Sequence, residues 1–331
     1  MKKILVLVHE SLIPPLDKTR NEILNTNSNL ITEYDVITTL ISLKYNIEVL
    51  GVYNNLNLIK EKIDNFKPNI VFNLLEEFNG NPLYDQNVVS YLELLGIAYT
   101  GSNPRGLIIG RDKALSKKIL QYHRIKTPKF FTIKKKQQKI KKPSQVSFPI
   151  IVKCLYEEAS LGISKSSIVK SEEKLVERVK FMQSTYKTDL ICEEFIEGRE
   201  LYVGLYGNSR LHILPPRELI FKKTENINKE IYTNKAKWDE KYRKSKGIDT
   251  IDAMLNVEIK NLIKKISKKT YKVLDLSGYA RIDFRLTNDN ILYILEANPN
   301  PNIAQDDDFA LSAKHDGICY KDLINKIVKL A

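Results

Sequence analysis

Cysteine is scarce: the chain holds only Cys154, Cys192 and Cys319, an odd, widely spaced set with no CxxC pair. Cys154 and Cys192 sit inside the apolar runs IVKCLY and LICEEF, so buried thiols in a reducing compartment are expected and a disulfide framework is not. The four histidines, His9, His123, His212 and His315, show no metal-ligand spacing, and no Ser-His-Asp or Cys-His arrangement offers a covalent nucleophile. Long apolar runs are missing too. The opening stretch MKKILVLVHE is too short for a signal segment and reads as a first β-strand, and nothing approaches transmembrane length. The expectation is a soluble, cytoplasmic protein with no membrane partner. No GxGxxG follows the first strand, which leaves a dinucleotide-binding turn unsupported.

What is abundant is positive charge. With 53 basic and 40 acidic residues the formal balance is +13. That suits an anionic partner, whether nucleic acid, anionic lipid or a phosphorylated small molecule. The lysines are spread along the whole chain, however, which favours a solvated lysine-rich surface and makes nucleic acid a minority reading. The basic stretch at 134–142 is read in the same way, as a solvated hairpin or loop.

Strand and helix signals alternate over the first hundred residues. KILVLV, IEVLGVY and PNIVFNLLEE read as strands. EYDVITTLISLKY has helical spacing at Val36, Leu40 and Leu43, and YDQNVVSYLELLG ends at Gly96. This is the pattern of a parallel sheet covered on both faces. A second block opens with GRDKALSKKILQYH, where Leu115, Ile119 and Tyr122 line one helical face, and runs into the buried strand FPIIVKCL. A third begins near residue 190 with DLICEEFI. It includes a long helix with Ile259, Leu262, Ile263, Ile266 and Val273 inward, then a hairpin and a final helix, YKDLINKIVKL. At 331 residues the chain can divide into two or three domains.

The hairpin carries the chemistry. Taking RIDFRL (281–286) and ILYILE (291–296) as strands joined by TNDN, alternation places Arg281, Asp283 and Arg285 on one face. In that register Leu286 faces Ile291 and Asp283 faces Ile294. Arg281 then lies across from Glu296, and Glu296 is the diagonal neighbour of Asp283, roughly 7–8 Å away by backbone. Asn298 continues the parity. Two carboxylates and an amide oxygen, with room for water and phosphate, form a donor set that Mg²⁺ favours. A solvated charged face remains the alternative. Against it, Glu296 ends an apolar strand and the rigid NPNPN turn follows.

Here the chain resembles the ATP-grasp superfamily, and within it the D-alanine–D-alanine ligase group. The family's Arg-x-Asp and Glu-x-Asn stand as Arg281-Ile282-Asp283 and Glu296-Ala297-Asn298, and the resemblance runs from about residue 70 to the end. It implies an ATP-grasp fold, α/β with α+β character in the C-terminal half, of three domains with ATP bound between the second and third. The expected boundaries are 1–110, 111–190 (with the phosphate-covering loop) and 191–331 (with the metal site). It implies ATP and Mg²⁺ as cofactors, two ions with Mn²⁺ as a substitute, small-molecule carboxylate and amine substrates, and a homodimer.

Residue by residue, the resemblance implies that Lys113, Lys153 and Lys237 hold ATP phosphates and that 156–166 (YEEASLGISKS), with Glu157, Ser160 and Gly162, covers them. Glu193, Glu194 and Ile196 would meet the adenine and Glu200 the ribose. Asp283, Glu296 and Asn298 would be metal ligands. Arg281 would stabilise the oxyanion, helped by backbone N–H near Asn302, with Lys237 and Ser160 also counted as catalytic. The implied reaction is ATP-driven amide formation through an acylphosphate, releasing ADP and phosphate.

The substrate motifs depart from the family. VLVHESLIPPLDK lacks the glycine-rich turn, although Glu10 lies nearby. NLLEEFNGNPLYD replaces the family's His-Gly-x-x-Gly-Glu-Asp-Gly stretch, leaving Glu76, Glu77 and Asn79 as first-substrate candidates. A family serine is Ala159 here, its partner tyrosine is Trp238, and NIAQDDDFA replaces the family's Ser-Gly segment. Asp306, Asp307 and Asp308 would suit a cationic amine or, equally, cap a helix. The expected activity is carboxylate–amine ligation on something other than D-alanine. The alternatives are a D-alanine–D-alanine ligase with a diverged pocket and a basic nucleic-acid-binding scaffold.

Overall fold

The computed structural model describes residues 2–157, 161–223, 231, 233, 236 and 239–331. Among these, the strands form three sheets. The first is parallel, with order β2-β1-β3, from β1 (Lys3–His9), β2 (Asn46–Val52) and β3 (Ile70–Asn73). β1 is buried without a break from Ile4 to Val8, as a strand covered on both faces must be. Ile4, Val6 and Val8 pack with Val36, Ile37 and Leu40 of helix α2 (Ile31–Ser42), which follows the short α1 (Arg20–Thr26). Leu5 and Leu7 pack instead with Ile59 of α3 (Asn57–Phe66) and with Val88 and Leu92 of α4 (Asp85–Leu94). Past α4, Gly96 adopts φ 66, the left-handed stop expected of it.

Helices α5 (Pro104–Arg111) and α6 (Lys113–Tyr122) lead to the second sheet. Asp112 begins α6 by accepting from the backbone N–H groups of Ala114 and Leu115. The expected apolar face of α6 is not its buried one. Leu115 is 37% exposed and Tyr122 84%, whereas Lys113, Ala114, Ser116, Lys117 and Leu120 are buried. Two lysines therefore point into the protein from a helix whose apolar spacing suggested the reverse.

The second sheet has order β4-β7-β5-β6, from β4 (Phe130–Ile133), β5 (Ile150–Cys154), β6 (Ile168–Val169) and β7 (Leu190–Glu194). Leu190–Glu194, expected at the head of the third block, hydrogen-bonds here to β4 and β5. Alternation sends Ile150, Val152, Cys154, Leu190 and Cys192 under α7 (Glu172–Tyr186), where Leu175, Val179 and Met182 cover them. Ile151, Lys153, Ile191 and Glu193 take the opposite parity, with Ile151 beside Glu193 and Lys153 beside Ile191. Cys154 and Cys192 are buried as expected; Cys319 is exposed.

The third sheet runs β11-β10-β8-β12-β13, with β9 (His212–Ile213) on the other end of β8. Its strands are β8 (Arg199–Tyr206), β10 (Arg217–Phe221), β11 (Ile248–Asp252), β12 (Tyr279–Leu286) and β13 (Leu292–Pro299). After α8 (Glu240–Lys246), helix α9 (Val257–Val273) lays Ile259, Ile263 and Tyr271 over Leu201, Val203, Ile282, Phe284, Ile294 and Ala297. The other face presents Glu200, Tyr202, Arg281, Asp283 and Arg285 toward the second sheet.

The hairpin register differs from the sequence expectation. Leu286 faces Leu292 and Phe284 faces Ile294, but Asp283 faces Glu296 and Arg281 faces Asn298. A β-bulge lies between, with Leu295 as the extra residue. The physical reason is the core. Ile294 and Ala297 are both buried beneath α9, three positions apart, and strict alternation cannot send both inward without one residue inserted. The turn is also one residue longer than expected, and the two shifts together move Glu296 from the diagonal of Asp283 to directly opposite it.

Helices α10 (Asp308–His315) and α11 (Tyr320–Val328) return to the first sheet, where Leu323, Ile324 and Ile327 join Ile4 and Val6 in one core.

Candidate active site

Between the second and third sheets lies a cleft of about 430 Å³, lined from both sides. That volume is in the range of small-molecule sites. The structure brings Lys113, Lys153, Glu157, Glu193, Glu194, Ile196 and Glu200 to it, together with Arg281, Asp283, Glu296 and Asn298. Ser160 and Lys237 lie outside the described residues, as do Ala159 and Trp238.

Three ammonium groups meet the carboxylates of the cleft floor. Lys153 Nζ is 2.9 Å from one oxygen of Glu193, and Lys117 Nζ is 3.1 Å from the other. Lys113 Nζ donates to the Glu157 carbonyl at 2.6 Å and lies 3.8 Å from Glu296. Burial alone would raise the Glu193 carboxyl, but Lys117 and Lys153 outweigh it and hold its pKa down. Glu296 behaves likewise: against burial, Lys113, Lys153, Arg281 and Lys117 hold it at about 2. Asp283 moves the other way, to about 6, because burial prevails over Arg281 and the Glu296 carboxylate adds repulsion. Lys117 is pushed down by burial, while Glu193 and Glu296 keep Lys153 raised against its own burial. Lys117 is the buried cation that sequence reasoning missed. Its signal was its position four residues after Lys113, one helical turn on.

The hinge Glu193-Glu194-Phe195-Ile196 is fixed from behind. Glu194 N–H donates to the Lys129 carbonyl and Phe195 N–H to the Pro149 carbonyl, while the Glu194 carboxylate accepts from Ser147 N–H at 2.8 Å. Glu200 accepts from Arg285 at 2.7 Å and from Tyr202 Oη at 2.9 Å. Gly162 lies beside the cleft lining rather than in it. Its carbonyl accepts from Arg178 at 2.6 Å, and at φ +71 an added Cβ would come within 2.8 Å of the Tyr186 ring.

On the hairpin, Arg281 forks onto Asp283 at 2.7 and 2.9 Å and stacks over Tyr202 at 5.0 Å. The Asn298 amide donates to the same carboxylate at 3.1 Å. Among the described residues, no cluster of three or more His, Cys, Asp or Glu side chains could hold a metal ion. Asp283 and Glu296 with the Asn298 amide are a smaller, all-oxygen set. It fits Mg²⁺, which binds through one or two carboxylates and completes its shell with substrate phosphate and water.

The acidic run after the hairpin is divided. Asp306 pairs with Arg20 at 2.7 Å, and Arg20 also forks onto Asp35, so Asp306 is drawn out of the cleft by a partner near the N-terminus. Asp307 caps α10, accepting from the Asp308 N–H at 2.7 Å, while still lining the cleft. Asp308 also lines it, 3.7 Å from the buried Arg217. Asn302 lines it and accepts from Thr32 Oγ1 at 3.0 Å. Of the first-substrate candidates only Glu76 reaches the cleft. Glu10 is exposed, and Glu77 is turned to His9 at 3.3 Å.

Residues 117–329 match the family model described as D-ala D-ala ligase C-terminus. A protein of Sinorhizobium fredii, "Uncharacterized protein y4sG", is 30% identical over 263 residues, 79% of this chain and 74% of its own. The D-alanine–D-alanine ligase of Bacillus anthracis is 28% identical over 304 residues, 91% of each chain. Its crystal structure complexed with ATP superposes with a TM-score of 0.74 at 24% identity, covering 100% of this chain and 97% of the other. VanG D-Ala:D-Ser ligase of Enterococcus faecalis does so at 0.71 and 18%, covering 99% of each. The chain belongs to the D-alanine–D-alanine ligase family, ATP-dependent ligases of the ATP-grasp fold that join a carboxylate to an amine.

Proposed function

We propose that this ligase activates a small carboxylic acid with ATP and transfers the acyl group to a cationic amine other than D-alanine. The observation that carries the amine is the placement of Asp307 and Asp308 at the cleft wall while Asp306 is held away by Arg20. Negative charge at that end suits an amine bearing a second positive group and opposes a free carboxylate.

In the first step a substrate carboxylate oxygen bonds to the γ-phosphorus and the bond to ADP breaks. Lys113 and Lys153 are the groups for the phosphate oxygens, as compact cations lining the cleft. Asp283, Glu296 and Asn298 would hold Mg²⁺, which supplies charge neutralisation at the transferring phosphoryl group when bound. Arg281, forked onto Asp283 beside these residues, would be the cation available to a developing oxyanion. In the second step the amine nitrogen attacks the acyl carbon, phosphate leaves, and the nitrogen loses a proton. Glu193, buried beneath Lys153, sets its position, and Glu200 is placed for ribose hydroxyls.

The test is ADP release with Mg²⁺ and ATP over a matrix of carboxylic acids against D-alanine, neutral amines, diamines and basic amino acids. Turnover with a diamine or basic amino acid is expected. Turnover confined to D-alanine overturns the substrate reading and leaves a D-alanine–D-alanine ligase with an altered pocket. A salt-sensitive shift of a nucleic-acid probe with no nucleotide binding by calorimetry would overturn the site assignment itself.

A further inference from the structure

The most deeply buried lysine is the one the phosphate site leaves unexplained. Lys117 is 1% exposed, and its side chain runs between the second and third sheets. One contact of its ammonium group is Glu193 on β7. The other is a hydrogen bond donated to the Leu295 carbonyl on β13. Leu295 is the extra residue of the bulge, without a partner on β12. A bulge residue drops out of the ladder, and a buried carbonyl there must be satisfied from elsewhere. β13 is also the outer strand of its sheet, so no further strand can supply the donor. A neighbouring backbone group takes part in the same fastening: Ile294 N–H donates to the Lys126 carbonyl at 2.9 Å.

The bulge is what puts Glu296 opposite Asp283. Without the extra residue at Leu295, Glu296 would fall opposite Ile282 and turn toward α9. We propose that Lys117 is a positioning residue that pins this bulge from across the cleft and thereby sets the spacing of the two hairpin carboxylates for a divalent cation. It touches no substrate atom in this assignment. Lys113, one turn earlier on the same helix, faces the cleft, so α6 carries one lysine for the ligand and one for the ligand's scaffold. The inference rests on the reading of Asp283 and Glu296 as metal ligands.

The experiment is a titration of Mn²⁺ followed by electron paramagnetic resonance at saturating non-hydrolysable ATP analogue, with metal-free nucleotide affinity from calorimetry. Lys117→Met is expected to weaken Mn²⁺ by about tenfold or more, the usual cost of losing a group that orients metal ligands, and to weaken metal-free nucleotide binding by a smaller factor. Lys117→Gln keeps a polar group in the space but ends one atom short of Leu295. It is expected to give the same loss and serves if the methionine variant does not fold. Wild-type Mn²⁺ affinity in the Lys117 variants overturns the proposal, as does an equal fall in metal and metal-free binding. If wild-type protein with nucleotide holds no Mn²⁺, the metal-site reading itself has failed, a result distinct from either.

Discussion

The two ends of the cleft are built differently. At the end proposed for the nucleotide, Lys113, Lys117 and Lys153 face Glu193 and Glu296 as buried or partly buried ion pairs, on strands and a helix. At the end proposed for the substrate, Glu76, Asn302, Asp307 and Asp308 sit on loops or at a helix start, and two of them are fastened to distant parts of the chain, Asn302 to Thr32 and Asp308 to Arg217. The first arrangement leaves little freedom to vary without stranding a charge in a low-dielectric interior. The second can change its chemistry residue by residue while the scaffold stays as it is. One family can therefore share an activation step and diverge in what it joins.

Glu296→Gln tests the nucleotide end most severely. ATP turnover should fall about 10²–10³-fold, the range for losing one group that stabilises transition-state charge, while thermal melting shows the fold retained. Unchanged turnover would remove the hairpin from the chemistry. At the substrate end, Arg20→Ala leaves Asp35, with a side chain 2% exposed, without its forked partner. A loss of about 3 kcal/mol is expected from denaturant midpoints, with the KM for amine raised and that for ATP unmoved. An equal change in both KM values would mean that the two ends are not independent.

Glu33 provides a pH test at the junction of the first sheet and the cleft. It is buried on α2, its Oε2 has no hydrogen-bond partner, and burial, with Glu76 nearby, lifts its pKa from 4.5 to about 7. The native state thus keeps a proton that the unfolded chain has lost. Stability should fall as pH rises from about 4.5 to about 7 and then level off. Glu33→Gln should remove that slope, gaining up to about 3 kcal/mol at pH 8 by 1.36 kcal/mol per pKa unit and almost nothing at pH 4. Thermal melts at the two pH values decide it. The smallest effect is expected of Asp308→Asn, about a tenfold rise in KM for a cationic amine, the equivalent of one weakened charge-assisted hydrogen bond. A rise of the same size for a neutral amine would deny Asp308 a charge-reading role.

That these residues meet at one cleft was legible because they occur in fixed local spacing: Arg281-x-Asp283, Glu296-x-Asn298, and Lys113 and Lys153 beside a helix cap and a buried strand. Lys117 was not, since it is one of 53 basic residues. The apolar positions of α6 also pointed to the wrong face. The hairpin register was missed because a bulge is decided by which residues α9 buries, a tertiary fact absent from the strand's own alternation. The division of the three aspartates was hidden for a similar reason. Asp306 is held by Arg20, 286 residues away along the chain, whereas Asp308 lies beside Arg217.

The return of α11 to the first sheet has a consequence for synthesis. The face of β1 carrying Ile4, Val6 and Val8 leaves the ribosome long before Leu323, Ile324 and Ile327, which complete its cover. Until they emerge, an apolar strip waits under α2 alone, and the first sheet cannot reach its final stability ahead of the rest. The first sheet is thus laid down well before it is closed, which makes it a segment where a chaperone would have much to hold.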